Sequence, residues 1–389
     1  MRVLILGCGI RGRVYASYAR TRPDLFEIAG IADPAAPEAD WKDWREALEA
    51  ETGAEGAIIA LPDAYHLAAA QAALAKGLHI LLEKPLGCSW DECLQLKAAQ
   101  RQAGRLVMPG FVLRYSKLYK TLDAVLAEGK IGEITDIRHT VALGCGKAAH
   151  AFCRGNWARE EDGSTALVQK CTHDFDLIAR WAAPRRMLYV SSSGALAEWK
   201  RENKPANSAN RCIDCPDDVR QSCPFDAVRL YVEEKDLRYH FSDRSDEAMR
   251  KVVRETQYGE CVYLGRNNSV NHQRVLMEFE GALTVTLELQ GLSLHRGRTT
   301  HFYGTRGEIE AKDDSITLET FMGEREVISL PGLSGNGCTG HDGGDAGIMD
   351  EFLEWARKGS QEDFERILAD AFESHRIAFL AEERRRCHV

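Results

Sequence analysis

Residues 1–33, with the sequence MRVLILGCGIRGRVYASYARTRPDLFEIAGIAD, decide the fold of this chain. Residues 2–6 form a short aliphatic run of the kind that is buried in a parallel sheet, and Gly7, Gly9 and Gly12 follow it at G-x-G-x-x-G spacing. The first glycine permits a tight turn, the second lets a pyrophosphate approach the backbone, and the third allows a helix to pack closely on the strand. The stretch therefore predicts a strand, turn and helix that bind a dinucleotide.

An acid at the end of the next strand indicates which dinucleotide binds. Residues 26–32 are predicted to form this second strand, and Asp33 follows it, 21 residues after the last glycine of the turn. A carboxylate there binds both ribose hydroxyls and repels the 2′-phosphate of NADP, so it favours NAD. Arg11 and Arg13 leave NADP open, because a guanidinium pairs well with phosphate. The helix after the turn brings the amide groups of Ile10 and Arg11 near the cofactor phosphates.

Composition is typical of a soluble globular protein with two domains. At 389 residues, with 44% hydrophobic and 28% charged residues, the chain is long enough for two sizeable cores. A net charge of −9 without a large basic block excludes a nucleic-acid partner. The chain enters its first strand at once and has no apolar stretch of membrane-spanning length, so we expect a cytoplasmic protein with no membrane partner. Its twelve cysteines are then expected to be thiols or metal ligands rather than disulfides.

The first 121 residues alternate strands with helices, which predicts an α/β domain with a doubly wound parallel sheet. Two of the later strands end in chemically distinctive sequences. The first ends in Leu61-Pro62, with His66 shortly after it, and the second ends in Glu83-Lys84-Pro85. Ligands of such sheets bind at the carboxyl ends of the strands, where an ammonium group can polarise an alkoxide.

The glycine turn, the proline turn with its histidine and the E-K-P sequence resemble those of one known family. This is the glucose-fructose oxidoreductase, inositol dehydrogenase and MocA (Gfo/Idh/MocA) family of NAD(P)-dependent sugar oxidoreductases. The resemblance implies that Lys84 reaches the substrate hydroxyl and the nicotinamide, as a catalytic or substrate-orienting residue. The cofactor contacts that we expect are Gly7, Gly9, Ile10, Arg11, Gly12, Asp33, Leu61, Pro62, His66, Glu83 and Lys84.

Residues 122–389 are predicted to form an α+β domain for substrate binding and oligomerisation. Alternating residues over 132–143 and 275–320 predict its strands. The resemblance implies that these strands form an open, mainly antiparallel sheet, with one face over the nicotinamide and the other on a partner subunit. We therefore expect a homo-oligomer, a dimer or tetramer, and the alternative is a monomer whose own helices bury the apolar face.

A helix over residues 167–181 carries the second chemical motif, LVQKCTHDFDLIARW. Family members have an aspartate, three residues and then a histidine that accepts the proton near the lysine. His173 matches that histidine, but Gln169 stands at the aspartate position, and a glutamine cannot tune histidine basicity as a carboxylate does. Either Asp174 or Asp176 supplies the charge, or the proton chemistry differs. The alternative is that His173 is a buried structural residue.

Two further segments offer polar side chains to a substrate. Residues 144–157 are predicted to be a loop that either lines a sugar site or has no role, and His341, in a loop over 340–345, either reaches the substrate or precedes a helix cap at Asp345. Basic side chains among the candidates suggest an anionic substrate such as a uronate or a sulfosugar; they are Lys170, Arg154 and Arg114. The full set of candidate substrate residues is Arg114, Tyr115, Arg154, Asn156, Trp157, Lys170 and His341.

An insertion over residues 198–262 carries cysteines at metal-binding spacing. A C-x-x-C pair with a third cysteine after seven more residues can chelate one ion, and tetrahedral zinc needs a fourth ligand. Zinc would stabilise an insertion that is otherwise too polar to fold on its own core. An iron–sulfur cluster or free thiols are the alternatives. The predicted ligands are Cys212, Cys215, Cys223 and Cys261, with His240 and His272 as alternatives for the fourth.

These features together predict an NAD-dependent oxidoreductase that acts on a sugar, polyol or glycoside. Hydride would pass from a carbinol carbon to nicotinamide while His173 takes the hydroxyl proton. The first alternative is an NAD-dependent glycosidase, in which oxidation, elimination of the aglycone, addition of water and re-reduction follow in turn. The second is a non-catalytic NAD-binding regulator, which would need neither Lys84 nor His173.

Overall fold

A parallel sheet with helices on both faces forms the N-terminal part of the computed structural model, which describes residues 1–331 and 341–387. Its elements are β1 (Arg2–Leu6), α1 (Ile10–Thr21), β2 (Glu27–Ala32), α2 (Trp44–Glu49), β3 (Gly56–Ile59), α3 (His66–Ala75), β4 (His79–Leu82), α4 (Trp90–Ala103) and β5 (Val107–Pro109). The five strands lie in the order β2-β1-β3-β4-β5, and each neighbouring pair is parallel. This confirms the predicted Rossmann-type α/β sheet. The strand order reverses between β1 and β3, where ligands of such sheets bind.

The strands of this sheet are apolar because helices cover both of its faces. All four residues of β3 and four of the five residues of β1 are buried. Continuous aliphatic runs of this kind are typical of parallel sheets. The polar residues that follow the strands are therefore held by a rigid frame at the carboxyl edge.

A second sheet forms the centre of the rest of the chain. The elements from residue 117 onward are α5 (Lys117–Ala127), β6 (Ile134–Leu143), α6 (Cys145–Ala149), α7 (Ala166–Ala182), β7 (Met187–Ala195), α8 (Asp217–Ser222), α9 (Asp246–Glu255), β8 (His272–Phe279), β9 (Leu283–Gln290), β10 (Arg296–Gly304), β11 (Gly307–Lys312), β12 (Ser315–Thr320), β13 (Arg325–Ser329), α10 (Gly344–Lys358) and α11 (Gln361–Arg386). The eight strands lie in the order β13-β12-β11-β10-β6-β9-β8-β7. Only the central β6–β9 pair is parallel, which confirms the predicted mainly antiparallel sheet.

One face of this sheet is covered by α7 and α11, and the other is open. Along β6, Ile137, His139 and Val141 are buried, while Arg138 between them is exposed. This alternation is expected for a sheet with one face on a core. No helix within the described residues is long and apolar enough to cross a membrane.

The two C-terminal helices return to the first sheet. Phe352 of α10 and Phe364 of α11 lie in one apolar cluster with Val3 of β1 and Tyr15 of α1. The later part of α11 packs along α7. The domain boundary near residue 122 stays a prediction, and this packing adds that the end of the chain helps to hold both sheets together.

Residues 145–154 of the segment 144–157 are helical, so the prediction of a loop was wrong for them. It contains α6 and a further helical turn over His150–Arg154. Ala149 and Phe152 are buried in the core of the second domain. The helical part is only ten residues long, which is too short to show a helical repeat of apolar residues in the sequence.

The insertion over residues 198–262 has an apolar core of its own, contrary to the expectation that it is too polar for one. Tyr231, Leu237, Met249 and Val253 form this core, and each is almost fully buried. These residues are spread over short helical turns and α9, so no periodic run marked them in the sequence.

Candidate active site

The glycine turn between β1 and α1 has the form that a pyrophosphate site requires. Gly7 has φ of +92°, and a Cβ there would lie 2.5 Å from the carbonyl oxygen of Ala60. A Cβ on Gly12 would lie 1.9 Å from the carbonyl oxygen of Gly7, so only glycine lets α1 pack this closely. At Gly9 a Cβ would meet no atom within 4 Å, which leaves the backbone open to a ligand.

Asp33 holds the turn from the end of β2. Its Oδ2 accepts a hydrogen bond of 2.8 Å from the amide of Cys8, and its Oδ1 accepts bonds of 2.7 and 2.8 Å from the amides of Ala35 and Ala36. Glu38 lies beside the same place and accepts from the Cys8 thiol at 3.5 Å. Burial and the nearby Glu38 raise the pKa of that thiol to about 11. Two acids at this position repel a 2′-phosphate.

The side chain of Arg11 turns inward and binds other side chains of the protein. Its guanidinium contacts Glu83 at 2.6 Å, Asp345 at 2.7 Å and the hydroxyl of Tyr15 at 2.7 Å. Burial alone would raise the pKa of Glu83, but Arg11 and Tyr15 outweigh it and hold that pKa below its usual value. The side chain of Arg11 therefore ties α1 to the E-K-P loop and to α10, and its predicted cofactor contact, like that of Ile10, involves the amide end of α1.

His66 connects the loops after β3 and β4. One ring nitrogen lies 2.6 Å from the carbonyl oxygen of Pro85 and the other lies 2.9 Å from that of Leu61. Pro62 precedes the helical turn that carries His66 towards these carbonyls. His66 thus links the loop after β3 to the loop after β4, the two loops that are predicted to contact the cofactor.

Lys84 reaches from the first domain to the start of α7. Its Nζ donates a hydrogen bond of 2.6 Å to the carbonyl oxygen of Gln169. Burial lowers the pKa of this lysine, and the charges of Asp63 and Glu83 oppose that effect. No role was predicted for Asp63 from the sequence. Its carboxylate is buried, accepts from the indole of Trp157 at 3.0 Å and also contacts the hydroxyl of Ser164.

His173 lies one helical turn after the residue that Lys84 contacts. Its Nδ1 is buried and has no hydrogen-bond partner among the described residues. Its ring makes an edge contact with Phe111, with centroids 6.0 Å apart. Burial, followed by the positive charges of Lys84 and Arg298, lowers the pKa of His173 well below its usual value. A neutral imidazole with an unpaired nitrogen can accept a proton from a substrate hydroxyl.

Neither acid that was considered as the partner of His173 makes a hydrogen bond to it. Asp174 is fully buried and accepts from His139 at 2.9 Å and from Arg298 at 2.5 and 3.2 Å. Its charge still raises the pKa of His173, although less than the nearby cations lower it. Asp176 forms a bidentate pair with Arg114. Of the two acids, Asp174 alone acts on His173, and it acts through its charge.

His375 supports the E-K-P loop from α11, and no feature of the sequence pointed to it. Its Nε2 accepts a hydrogen bond of 2.9 Å from the amide of Leu86, and its Nδ1 donates one of 2.8 Å to the carbonyl oxygen of Ala371. This pattern requires the neutral ring. Burial lowers the pKa of His375 to about 4.

The candidate substrate residues fall into two groups. Trp157, His341 and Lys170 lie near Lys84 or Arg11: Trp157 binds Asp63, the ring of His341 lies 3.1 Å from Asp345, and Lys170 follows Gln169. Asn156 is exposed beside Trp157. Their roles stay predictions. Gly340, at the start of the predicted loop, lies outside the described residues.

The remaining three candidates face other parts of the protein. Arg114 is engaged by Asp176, and Tyr115 packs against Gly347 of α10. Arg154 is buried beside the cysteines, where it donates to the carbonyl oxygens of Glu260 and Phe225, each at 2.8 Å. Two of the three basic residues that suggested an anionic substrate are therefore used in structural contacts.

The four predicted ligand cysteines line one small cavity of about 20 Å³, together with Arg154; they are Cys212, Cys215, Cys223 and Cys261. A cavity of this size holds about one water-sized group. However, no three His, Cys, Asp or Glu side chains within residues 1–331 and 341–387 are arranged to hold a metal ion, so the zinc site is not shown. Of the alternative ligands, His240 stacks on His150 at 4.0 Å and His272 contacts Asn271, and neither lines the cavity.

Comparison with known proteins agrees with this geometry. Residues 1–111 match the model of the oxidoreductase family with an NAD-binding Rossmann fold, Gfo/Idh/MocA. A putative UDP-kanosamine synthase oxidoreductase subunit from Amycolatopsis mediterranei is 31% identical over 229 residues, which cover 54% of this chain and 62% of that one. Inositol 2-dehydrogenase 1 from Saccharopolyspora erythraea is 26% identical over 161 residues, which cover 38% of this chain and 48% of that one. The chain thus spans about half to three fifths of the length of these relatives.

Among solved structures, levoglucosan dehydrogenase in complex with NADH and levoglucosan superposes with a TM-score of 0.70 at 17% identity, covering 100% of this chain and 98% of that one. This likeness extends the shared fold over both sheets. The resemblance seen in the sequence is confirmed for residues 1–111, which match the Gfo/Idh/MocA family of oxidoreductases with an NAD-binding Rossmann fold.

Proposed function

We propose that this protein is an NAD-dependent oxidoreductase that acts on a sugar, a polyol or a glycoside. The observation that carries the proposal is the placement of Lys84 beside the first turn of α7, one turn from the unpaired Nδ1 of His173. Both groups lie at the carboxyl edge of the first sheet, which also bears the open glycine turn. Inositol dehydrogenase among the relatives and levoglucosan dehydrogenase among the structures support a carbohydrate-like substrate.

The residues present fit NAD at the glycine turn, because Gly9 leaves its backbone open and Asp33 and Glu38 oppose a 2′-phosphate. When bound there, NAD supplies the hydride acceptor. Lys84 orients the reacting hydroxyl and stabilises negative charge that develops on its oxygen. His173 is kept neutral by burial and takes the hydroxyl proton. The charges of Asp63 and Glu83 favour the protonated form of Lys84 and oppose the effect of burial on its pKa.

A redox-cycling glycosidase is the second candidate. Gln169 stands where simple dehydrogenases of this family have an acid, so His173 lacks a directly bonded carboxylate. In this alternative, oxidation acidifies the neighbouring C–H bond, the aglycone leaves by elimination, water adds, and the ketone is reduced again. The non-catalytic regulator is disfavoured because it gives no reason to keep Lys84 and His173 together.

The test mixes purified protein and NAD with free sugars, polyols and aryl glycosides, and it follows NADH absorbance and aglycone release together. Stoichiometric NADH from a free sugar or polyol supports the dehydrogenase. Aglycone release with catalytic NAD and no accumulating NADH supports the glycosidase. A protein that binds NADH but turns over no member of the panel supports the regulator.

We also propose structural zinc at the cysteine cavity. All four cysteines reach it, the amide of Ala209 donates to the sulfur of Cys215 at 3.3 Å, and Arg154 donates to that of Cys212 at 3.4 Å. Donors of this kind stabilise thiolates, which are the form that binds metal. Elemental analysis should find about one zinc per chain and less in Cys212→Ser, with Cys145→Ser as the control. Equal zinc content in Cys212→Ser and the parent would sink the assignment.

Assembly and location complete the proposal. The open face of the second sheet and the exposed Phe321 and Met322 at its β12–β13 turn support a homo-oligomer, a dimer or tetramer. Light scattering coupled to gel filtration tests this. A monomeric mass at micromolar concentration would contradict it. The cytoplasmic location stays a prediction from the sequence.

A further inference from the structure

Cationic side chains from both domains meet beside the proposed catalytic pair. Lys84 contacts the carbonyl of Gln169, which puts its ammonium next to the following residue, Lys170. Lys170 and Asp174 lie four residues apart on α7 and so share one face of that helix. Asp174 holds Arg298 at 2.5 and 3.2 Å. The charges of Arg298 and Lys84 both act on Lys170, so the three cations lie close enough to repel one another.

Lys147 joins this group from the start of α6. That helix directly follows β6, whose Val141 pairs with Arg298 on β10. The first residues of α6 therefore lie beside the Arg298 end of β10. We call Lys84, Lys147, Lys170 and Arg298 the basic cluster.

The carboxylates that act on the basic cluster are already bonded to other groups, and Asp236, which acts on Lys147, pairs with Arg296. Lys147 and Lys170 are partly buried, yet neither ammonium has a hydrogen-bond or carboxylate partner in the part of the chain that the structure describes. Asp174 is already bonded to Arg298 and His139, and Asp63 to Trp157 and Ser164. Both side chains are only partly buried, so their ammonium groups stay open to an anion, which they would bind through charge-assisted hydrogen bonds.

Repulsion among these positive charges contributes to the lowered pKa values of Lys147 and Lys170. Burial, then the charges of Arg296 and Arg298, lower the pKa of Lys147 to about 8. Burial, then Arg298 and Lys147, lower the pKa of Lys170 well below its usual value. An anion bound between the two lysines would offset the repulsion and raise the pKa of each lysine again.

We propose that the substrate of this site carries an acidic group, the carboxylate of a sugar acid or a phosphate ester, which Lys147 and Lys170 bind while Lys84 and His173 act on the hydroxyl. The proposal rests on the proposed function, whose site it shares. Arg114 and Arg154 have no part in it because both are used in structural contacts. Lys147, which the sequence did not mark, takes their place.

The first experiment measures binding alone, so it does not depend on turnover of any sugar. Protein saturated with NADH is titrated by calorimetry with matched probes: glucose, glucuronate and glucose 6-phosphate, then galactose and galacturonate. We expect at least one acid to bind about tenfold or more tightly than its neutral counterpart, and the acid that does so identifies carboxylate or phosphate as the group bound. No acid binding more tightly than its neutral counterpart overturns the proposal, whether or not any sugar is oxidised. If NAD oxidises none of the sugars, that result counts against the proposed function instead.

Variants locate the effect. Lys147→Met and Lys170→Met should each reduce the preference for the acid by about tenfold and leave the Kd of NADH unchanged. The control is Lys312→Met, at the exposed end of β11, which should change neither quantity. Affinity for the acid should also fall as pH rises through about 8, where Lys147 loses its proton, and affinity for the neutral sugar should not. An acid preference that survives in both lysine variants with NADH binding intact would overturn the assignment to these residues.

Discussion

Replacing His375 should destabilise the fold and disturb the E-K-P loop that carries Lys84. The change His375→Leu keeps an apolar side chain of similar size in the buried site but removes the acceptor for the amide of Leu86. The carbonyl of Ala371 is less affected, since it lies within α11 and faces the helical amide one turn later. A buried amide without a partner costs about 1–3 kcal/mol, which is the loss of stability we expect near pH 7.

The pH dependence of this loss gives a second signature. The ring of His375 has a pKa of about 4 when folded, against an ordinary value of 6.5. The unfolded chain therefore takes up a proton below pH 6.5 before the folded protein does, and the histidine destabilises the fold progressively as the pH falls towards 4. The difference of 2.5 pH units corresponds to ~3 kcal/mol. The stability advantage of the parent over His375→Leu should thus be full above pH 6.5 and vanish by about pH 4.

Urea unfolding of parent and variant between pH 4 and 8 measures both effects. Because Leu86 lies two residues after Lys84, we also expect kcat to fall by roughly tenfold to a hundredfold, as displaced catalytic groups do, with NADH binding kept. His295→Leu, at an exposed position, serves as the control. Equal stability of His375→Leu and parent at pH 7, or parallel pH profiles of the two, would refute the role given to His375.

Three other outcomes follow from the site. Asp33→Ala should raise the KM for NAD by about tenfold and lower that for NADP, because it removes both a ribose acceptor and a repulsive charge; steady-state kinetics with both cofactors checks this, and an unchanged ratio would contradict it. Asp174→Asn should cost about 3–5 kcal/mol in urea unfolding, since it removes a fully buried carboxylate and leaves the partly buried Arg298 without its ion pair, whereas Asp136→Asn on the open face should cost little. Asp63→Asn should shift the limb of the pH–kcat profile that reports Lys84 to lower pH, because the charge of Asp63 raises the pKa of that lysine; an unmoved limb would count against the assignment.

Local patterns were sufficient to predict the first sheet and its ligand edge. The glycine turn, Asp33 and the E-K-P sequence each follow a strand of this sheet, and a parallel sheet brings the ends of its strands to one edge. The helix that carries His173 was also evident from its apolar period, and its bounds differ from the prediction by one residue at each end. These features depend on residues close together in the chain.

Features that depend on distant parts of the chain were missed. The contact between His375 and Leu86 joins residues 289 positions apart, and that between Arg298 and Asp174 joins residues 124 positions apart. Nothing in the sequence around Arg298 or Lys147 shows which side chains lie opposite. The same limit explains why Arg114 and Arg154 were expected at the substrate, because their acceptors at Asp176 and Glu260 are set by the tertiary fold.

The central claim is that Lys84 acts in the chemistry at an NAD site, and one comparison tests it most directly. Parent and Lys84→Ala are mixed with NAD and a substrate that the panel identifies, and the rate of NADH formation or of aglycone release is measured beside the Kd of NADH. We predict a loss of kcat of about a hundredfold or more, with the Kd changed by less than about threefold. Turnover by Lys84→Ala at the rate of the parent would contradict the account and leave the chain as an NAD-binding protein whose activity lies elsewhere.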